Sequence, residues 1–177
     1  MRHTVCFDYT PHLSGARISL RPLRALDFER VHAAASDPLI WSQHPFPLRY
    51  RRDVFESGFW TSAINGEGAL IITENATGEV IGSSRFYDWN PAAGEVAIGY
   101  TFLARRFWGG DTNRELKHLM LRHAFRWARR VWFHVGPDNI RSRKALEKLG
   151  ATPAHEETVT IDGVPYVHVC YWLDAPP

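Results

Sequence analysis

The sequence predicts one domain of mixed α/β class, and three features carry that reading. Stretches that alternate apolar and polar residues are interleaved with stretches whose apolar residues recur every three or four positions. Gly, Pro and Asn-Gly or Asp-Gly pairs fall at most of the changes from one pattern to the other. The resulting order, β-α-α-β-β-β-α-β-α-β-β, contains seven strands and four helices with no repeat, low-complexity tract or linker. At 177 residues the chain suits a single core, with 1–16 as an arm lying on it.

The elements follow in order. Arg17 to Arg24 alternates Ile18, Leu20 and Pro22/Leu23 with polar residues, a first strand. Asp27 is placed to cap a helix running to about Ser36, with Phe28, Val31 and Ala35 along one side, and Asp37-Pro38 stops it. Leu39 to Leu48 holds Pro45 and Pro47 and is an irregular loop rich in rings: Trp41, His44 and Phe46. Asp53 is placed to cap a second helix that carries Phe55, Phe59 and Ala63 and ends at Asn65-Gly66. Ala69–Thr73 and Val80–Tyr87 are strands joined through Asn75-Ala-Thr-Gly78. A helix from Asn113 to about Arg129 turns Leu116, Met120, Ala124 and Trp127 or Ala128 inward, and Lys117, Arg122, Arg126 and Arg129 largely outward. Val131–Val135 is a strand, and a short helix then closes at Gly150. Glu157–Ile161 and Tyr166–Trp172 form a hairpin through Asp162-Gly163.

Composition excludes more than it selects. Hydrophobic residues make up 45% and charged residues 23%, as in ordinary soluble domains, and the net charge of +2 names no partner. Cys6 and Cys170 form no metal-ligand motif, no N-terminal apolar run resembles a signal peptide, and no apolar stretch approaches membrane-spanning length. The expectation is a cytoplasmic protein without a membrane partner or bound metal. His118 and His123 lack the i, i+4 spacing of a helical zinc pair. The basic residues of helix 113–130 are not interleaved with exposed aromatics in a single-strand-binding pattern, which argues against nucleic acid.

The stretch from Glu95 to Arg114 organises the rest. It begins as a strand with Val96, Ile98, Tyr100 and Phe102 alternating, passes through a basic turn with Gly109-Gly110, and enters the helix near Asn113. A glycine-bearing turn at a helix start suits a phosphate: N–H groups there lack intrahelical partners, and the positive end of the dipole faces the anion. Arg105, Arg106 and Arg114 add charge around it. The ordinary alternative is a tight turn.

A second stretch, Asn139-Ile-Arg-Ser142 through Lys148-Leu149-Gly150, follows one helix and one strand later. Together the two resemble the GNAT superfamily of acetyl-CoA-dependent N-acyltransferases, and within it the RimJ/RimL-like branch of ribosomal-protein alanine N-acetyltransferases. The family's pyrophosphate motif, Arg/Gln-x-x-Gly-x-Gly/Ala, falls on Arg106-Phe-Trp-Gly109-Gly110-Asp111. The resemblance covers roughly residues 17 to 172. It implies a central, mostly antiparallel twisted sheet flanked by the four helices and splayed between its central strands. It also implies acetyl-CoA as cofactor and direct attack of a primary amine on the thioester.

Residue by residue, the resemblance implies that Arg105, Arg106, Trp108, Gly109, Gly110, Asp111, Thr112, Asn113 and Arg114 surround the pyrophosphate, with Phe102 and Leu103 offering backbone to the thioester and pantetheine. Asp111 stands where the motif expects Gly or Ala; helix capping is its expected role, with an outward orientation or a weakened site as alternatives. Arg141, Arg143, Lys144 and Lys148 are candidates for a 3′-phosphate, or a solvated helix face. Glu95 is the first choice of general base and His134 a further one, while the central position acidic in relatives is Ala97 here. Leu146 occupies the place of the usual tyrosine acid, which leaves Ser142 to hydrogen-bond the departing sulfur and Asn139 to bind cofactor or cap its helix. Trp41, His44, Tyr87 and Trp89 are expected to line the acceptor side. The acceptor is a peptide N-terminal α-amine or a small amine, including antibiotics; a module that binds acyl-CoA without turnover is the alternative, and a homodimer is compatible with the sequence.

Overall fold

The computed structural model describes residues 6–161 and 163–176. Asp162 of the expected Asp162-Gly163 turn lies outside them, as do residues 1–5 of the arm. The described residues form one eight-stranded sheet in the order β1-β2-β3-β4-β5-β6-β8-β7, antiparallel except between β5 and β6. The strands are β1 (Leu13–Ser14), β2 (Ile18–Pro22), β3 (Ala69–Glu74), β4 (Val80–Asn90), β5 (Glu95–Leu103), β6 (Arg130–Val135), β7 (Thr152–Ile161) and β8 (Val164–Asp174). The strand beyond the expected seven is β1, where Leu13 and Ser14 of the arm pair with Leu20 and Ser19. The arm is also anchored by Phe7, 3% exposed, among Phe86, Trp89, His123 and Trp127.

Four helices cover the sheet: α1 (Phe28–Ala35), α2 (52–65), α3 (Asp111–Ala124) and α4 (Ile140–Leu149). Strand β3 shows the two-sided burial. Leu70 and Ile72 meet Leu116 and Met120 of α3 on one face, while Ala69 and Ile71 meet Val31, Phe55 and Phe59 of α1 and α2 on the other. Helix α2 contains a π turn at Phe55–Trp60, and it buries Phe55, Phe59 and Ala63 as their spacing predicts. Helix α3 begins two residues before the expected Asn113 and ends at Ala124, with Ala128 rather than Trp127 completing the buried row.

Two expected caps are absent, for local electrostatic reasons. Asp27 ends a 3-10 turn, where its carboxylate accepts the Arg24 N–H and both terminal nitrogens of Arg21. That Arg21 pair holds the Asp27 carboxyl below the usual range. Asp53 lies inside the first turn of α2, behind Arg51 as N-cap, and pairs with the Arg51 guanidinium at 2.9 Å.

The alternation along β5 also breaks. Val96 and Ile98 face α3, but Phe102 joins the α1–α2 side and Tyr100 is 45% exposed. Against β4, Ser83 pairs with Phe102 and Arg85 with Gly99, so β5 carries one extra residue at Tyr100, whose φ is 51°. An extra residue in a strand turns every later side chain to the opposite face. A second bulge on β4 puts Asp88 at φ 54°, and Trp89 then packs on Phe7 instead of sharing a face with Tyr87.

A close backbone approach beside the first bulge gives a stability test. A Cβ at Gly82 would lie 2.1 Å from the carbonyl oxygen of Phe102, whereas one at Gly58 in α2 meets nothing within 4 Å. Gly82→Ala is expected to lose at least roughly 1–3 kcal/mol. Gly58→Ala should gain about 0.5–1 kcal/mol through helix propensity. Thermal denaturation of the two variants beside wild type checks the contrast.

Candidate functional site

The expected phosphate turn leaves β5 through a 3-10 turn at Arg105–Phe107 and reaches α3 by way of Trp108, Gly109 and Gly110. Gly109 takes φ 69°, which a residue with Cβ adopts only under strain. A Cβ at Gly109 or at Gly110 would meet nothing within 4 Å, so an open hollow lies over the start of α3. Gly110 is the N-cap and supplies no side-chain bond, and the first N–H groups of the helix, through Thr112 and Asn113, face this hollow without intrahelical partners. The donor set and the open space fit a pyrophosphate.

Asp111 does not cap α3. Its carboxylate points outward to Arg17 at 3.2 Å and Arg114 at 2.6 Å, and so stays out of the hollow. The other basic residues of the turn are also engaged, Arg105 with Asp37 and Arg106 with Glu79. Their charge is therefore partly neutralised, which leaves the backbone amides as the uncommitted donors of the turn. Trp108 gives its indole N–H to the Leu103 carbonyl at 2.9 Å and lies under the Arg141 guanidinium at 3.8 Å. Arg141 thereby joins the loop to the ring-rich segment, bonding also Ile40 O and Gln43 Oε1.

Beside this turn the sheet opens. Strands β5 and β6 pair only at Glu95↔Arg130, Val96↔Val131 and Ala97↔Trp132, while both continue beyond. Phe102 and Leu103 pair with Ser83 and Gly82 of β4 on their other edge. Lys117, expected outward, enters the opening from α3: Nζ is 3.2 Å from Thr101 Oγ1 and 5.6 Å from the centre of the Phe133 ring. Burial pushes its amine down to about 8. Lys117, Leu121 and Ala124 form an inward row at spacings of four and three, the signal that would have placed it. At the N-terminus of α4, Asn139 caps by accepting the Ser142 N–H at 3.3 Å, and the Ser142 hydroxyl has no bond to another described residue. Leu146 is buried in the core.

On the other face Tyr87 reaches from β4 across β5 to β6, where its hydroxyl lies 2.7 Å from Nδ1 of His134. The crossing needs Gly99, since a Cβ there would come within 3.0 Å of the Tyr87 ring and hydroxyl. Nε2 of His134 is 3.8 Å from Glu157. Burial lowers the His134 pKa, and Glu157 opposes that shift. Cys170 completes a trio with these two, their ligand atoms lying within 4.8 Å of one another. Burial first, and Glu157 next, push its thiol up to about 11.

The remaining expected site residues separate. Glu95 sits at the paired end of β5, its Oε2 accepting the Trp132 indole N–H at 3.0 Å. Trp41 is 3% exposed and gives its indole N–H to Ala35 O, so it forms a wall rather than a contact surface. His44 lies against it at 5.4 Å, its Nδ1 accepting the Phe46 N–H, and burial holds the imidazole neutral with a pKa of about 3. Trp89 belongs to the opposite face with Phe7. Sequence reasoning missed Arg49, Arg85, Tyr100, Glu157 and His168, which converge here from four segments. Only Arg85 carried a signal, as a lone cation inside the otherwise apolar or small run from Val80 to Phe86.

Comparison with known proteins agrees with this geometry. The family model for the acetyltransferase (GNAT) domain matches residues 17–152. A search of curated proteins finds no match. Among solved structures, an assigned acetyltransferase from T. thermophilus is 26% identical with a TM-score of 0.75, over 96% of this chain and 92% of that one. RimJ from Mycobacterium smegmatis, solved with CoA-disulfide, is 20% identical with a TM-score of 0.68, over 94% and 88%. A Vibrio cholerae protein assigned as a ribosomal-protein-serine acetyltransferase is 14% identical with a TM-score of 0.73, over 93% and 97%. Among the described residues no helix is long and apolar enough to cross a membrane. The chain belongs to the GNAT acetyltransferases, as an N-acetyltransferase whose cofactor is acetyl-CoA.

Proposed function

We propose that the protein transfers acetyl directly from acetyl-CoA to a primary amine, in the manner of the RimJ-like enzymes that acetylate N-terminal α-amines. The observation that carries this reading is the Tyr87–His134 bond of 2.7 Å, which sets a proton acceptor on the face opposite α3, beside the opening between β5 and β6. An α-amine suits such a base, because its pKa of roughly 8 leaves a workable neutral fraction. The likeness in fold to M. smegmatis RimJ, solved with a CoA derivative, supports the same cofactor.

In this reading the N–H groups from Gly110 to Asn113 hold the pyrophosphate, and the unpaired edge of β5 aligns the pantetheine arm. Acetyl-CoA supplies an activated thioester carbonyl. The amine nitrogen bonds to that carbon as the carbon–sulfur bond breaks, and the amine's surplus proton passes through the Tyr87 hydroxyl to His134. Glu157 steadies the charged imidazole. The Ser142 hydroxyl donates a hydrogen bond to the departing sulfur, and the Lys117 ammonium offers positive charge nearby. Glu95, whose Oε2 accepts the Trp132 indole N–H, keeps acceptor capacity and is the second candidate base, directly or through water.

Calorimetry with acetyl-CoA tests the loop. Gly110→Val puts side-chain atoms only into open space, so the fold should persist while affinity falls by roughly tenfold or more, about 1.4 kcal/mol. Asp111→Asn should change affinity little, since that side chain points away; a large gain would mean the carboxylate opposes the cofactor.

The pH dependence of kcat/KM tests the base. His134 works when neutral, and its pKa is lowered, so the acidic limb should rise with pH at a midpoint below the ordinary 6.5. Glu157→Gln removes an influence that raises that pKa and should move the limb to lower pH. His134→Gln should abolish the limb and slow transfer by about 10²–10⁴-fold. A limb unaltered in both variants would assign the base elsewhere.

A further inference from the structure

The face that holds Tyr87 and His134 also carries two arginines without counter-charge. Arg49 is 8% exposed and Arg85 is 7% exposed, and among the described residues neither has a carboxylate within salt-bridge distance. Arg85 makes two long bonds of 3.3 Å to Ser62, lies 4.2 Å over the Tyr100 ring, and leaves its buried Nε with no partner. Arg49 rests on Phe46 at 4.6 Å and Trp41 at 5.8 Å, and among the described residues its guanidinium has one hydrogen-bonding contact, Nε2 of His44 at 3.3 Å.

That last contact is informative. Nδ1 of His44 accepts the Phe46 N–H at 2.9 Å, so in the neutral ring the proton sits on Nε2. Nε2–H and the Arg49 guanidinium are then two donors facing each other with no acceptor between them. Burial first, and the nearby Arg85 charge after it, push Arg49 down to about 10 while leaving it charged near neutrality. Tyr100 and Tyr166 are the nearby phenols, and neither brings a carboxylate to the pair. Glu157 lies beyond, against His134. Burying two guanidinium groups in this state is costly, and an anion between them removes the cost.

We propose that Arg49, Arg85 and Nε2 of His44 form a carboxylate subsite, and that the acceptor is an amine which itself carries a carboxylate. This rests on the reading that the amine enters across Tyr87 and His134. Tyr100 connects the two places: Arg85 covers its ring at 4.2 Å, and Tyr87 meets it edge-on at 5.3 Å. Guanidinium donors match the planar, two-oxygen geometry of a carboxylate. The subsite also helps the chemistry, since surrounding positive charge favours the neutral amine over ammonium.

Two sources of the same chemistry are distinguished by their products: a peptide N-terminus followed by an acidic residue, and a free amino acid. Calorimetry on the full chain loaded with CoA would compare N-acetyl-alanyl-aspartyl amide with its asparaginyl counterpart, and N-acetyl-alanine with N-acetyl-alaninamide. The subsite requires the carboxylate member of at least one pair to bind tighter by on the order of a hundredfold, and the responding pair names the source. Arg49→Gln and Arg85→Gln should erase that preference; CoA binding measured on the same samples shows that they are folded, and Arg85→Lys should keep part of the effect. Equal binding within both pairs, or a preference that survives in both glutamine variants, overturns the proposal. Thiol release with the matching free amines is a separate readout: charged products that bind without any amine being acetylated would sink the transfer reading and leave the subsite standing.

Discussion

Beyond Ala97 and Trp132 the hydrogen-bond ladder between β5 and β6 stops, although both strands go on. Peptide groups on such an edge need partners, because leaving them buried and unpaired is costly. Much of the molecule is arranged around that interruption. The bulge at Tyr100 turns the chain so that β5 keeps β4 on one side and releases β6 on the other. Lys117 and Thr101 put polar atoms beside the gap from the α3 side, and Tyr87 and His134 cross it from the other. The glycine turn that follows β5 then leaves from the open end and leads into α3.

Elements governed by local pattern were legible in the sequence. The hairpin at Asn75–Gly78, the spacing of Phe55, Phe59 and Ala63, and the close of α4 at Gly150 with φ 90° each depend on neighbours a few residues away. The bulges were not legible. Val96, Ile98, Tyr100 and Phe102 alternate without a break, and only pairing with β4 reveals the additional residue. Asp27, Asp53 and Asp111 misled for a shared reason. Each looks like a helix cap by position, yet each gives its carboxylate to a nearby arginine, and Asp27 takes the Arg24 N–H of the preceding turn as well.

The same division runs through the site. The half proposed for the cofactor is local in sequence: Gly109 and Gly110 mark a turn into α3 and Asn139 caps α4, as their positions in the chain suggest. Its acceptor half is assembled from the ring-rich loop, β4, the β5 bulge and the β7–β8 hairpin. Phe46 meets Tyr166 at 4.8 Å and Pro45 abuts Gly136, contacts between residues far apart in the chain. No spacing rule connects such positions. Tyr87 and Trp89 show the limit plainly: two residues apart, they were expected together, and Asp88 sends them to opposite faces.

The bond between Tyr87 and His134 has a mechanical meaning as well. The sheet consists of two panels, β1 to β5 and β6 to β8 to β7, joined edge to edge by three residue pairs at one end. Those pairs act as a hinge, and the side-chain bond acts as a latch across the free ends on one face only. The latch shares the crossing with Phe46 against Tyr166 and Pro45 against Gly136, and its reach over β5 depends on the absence of a side chain at Gly99.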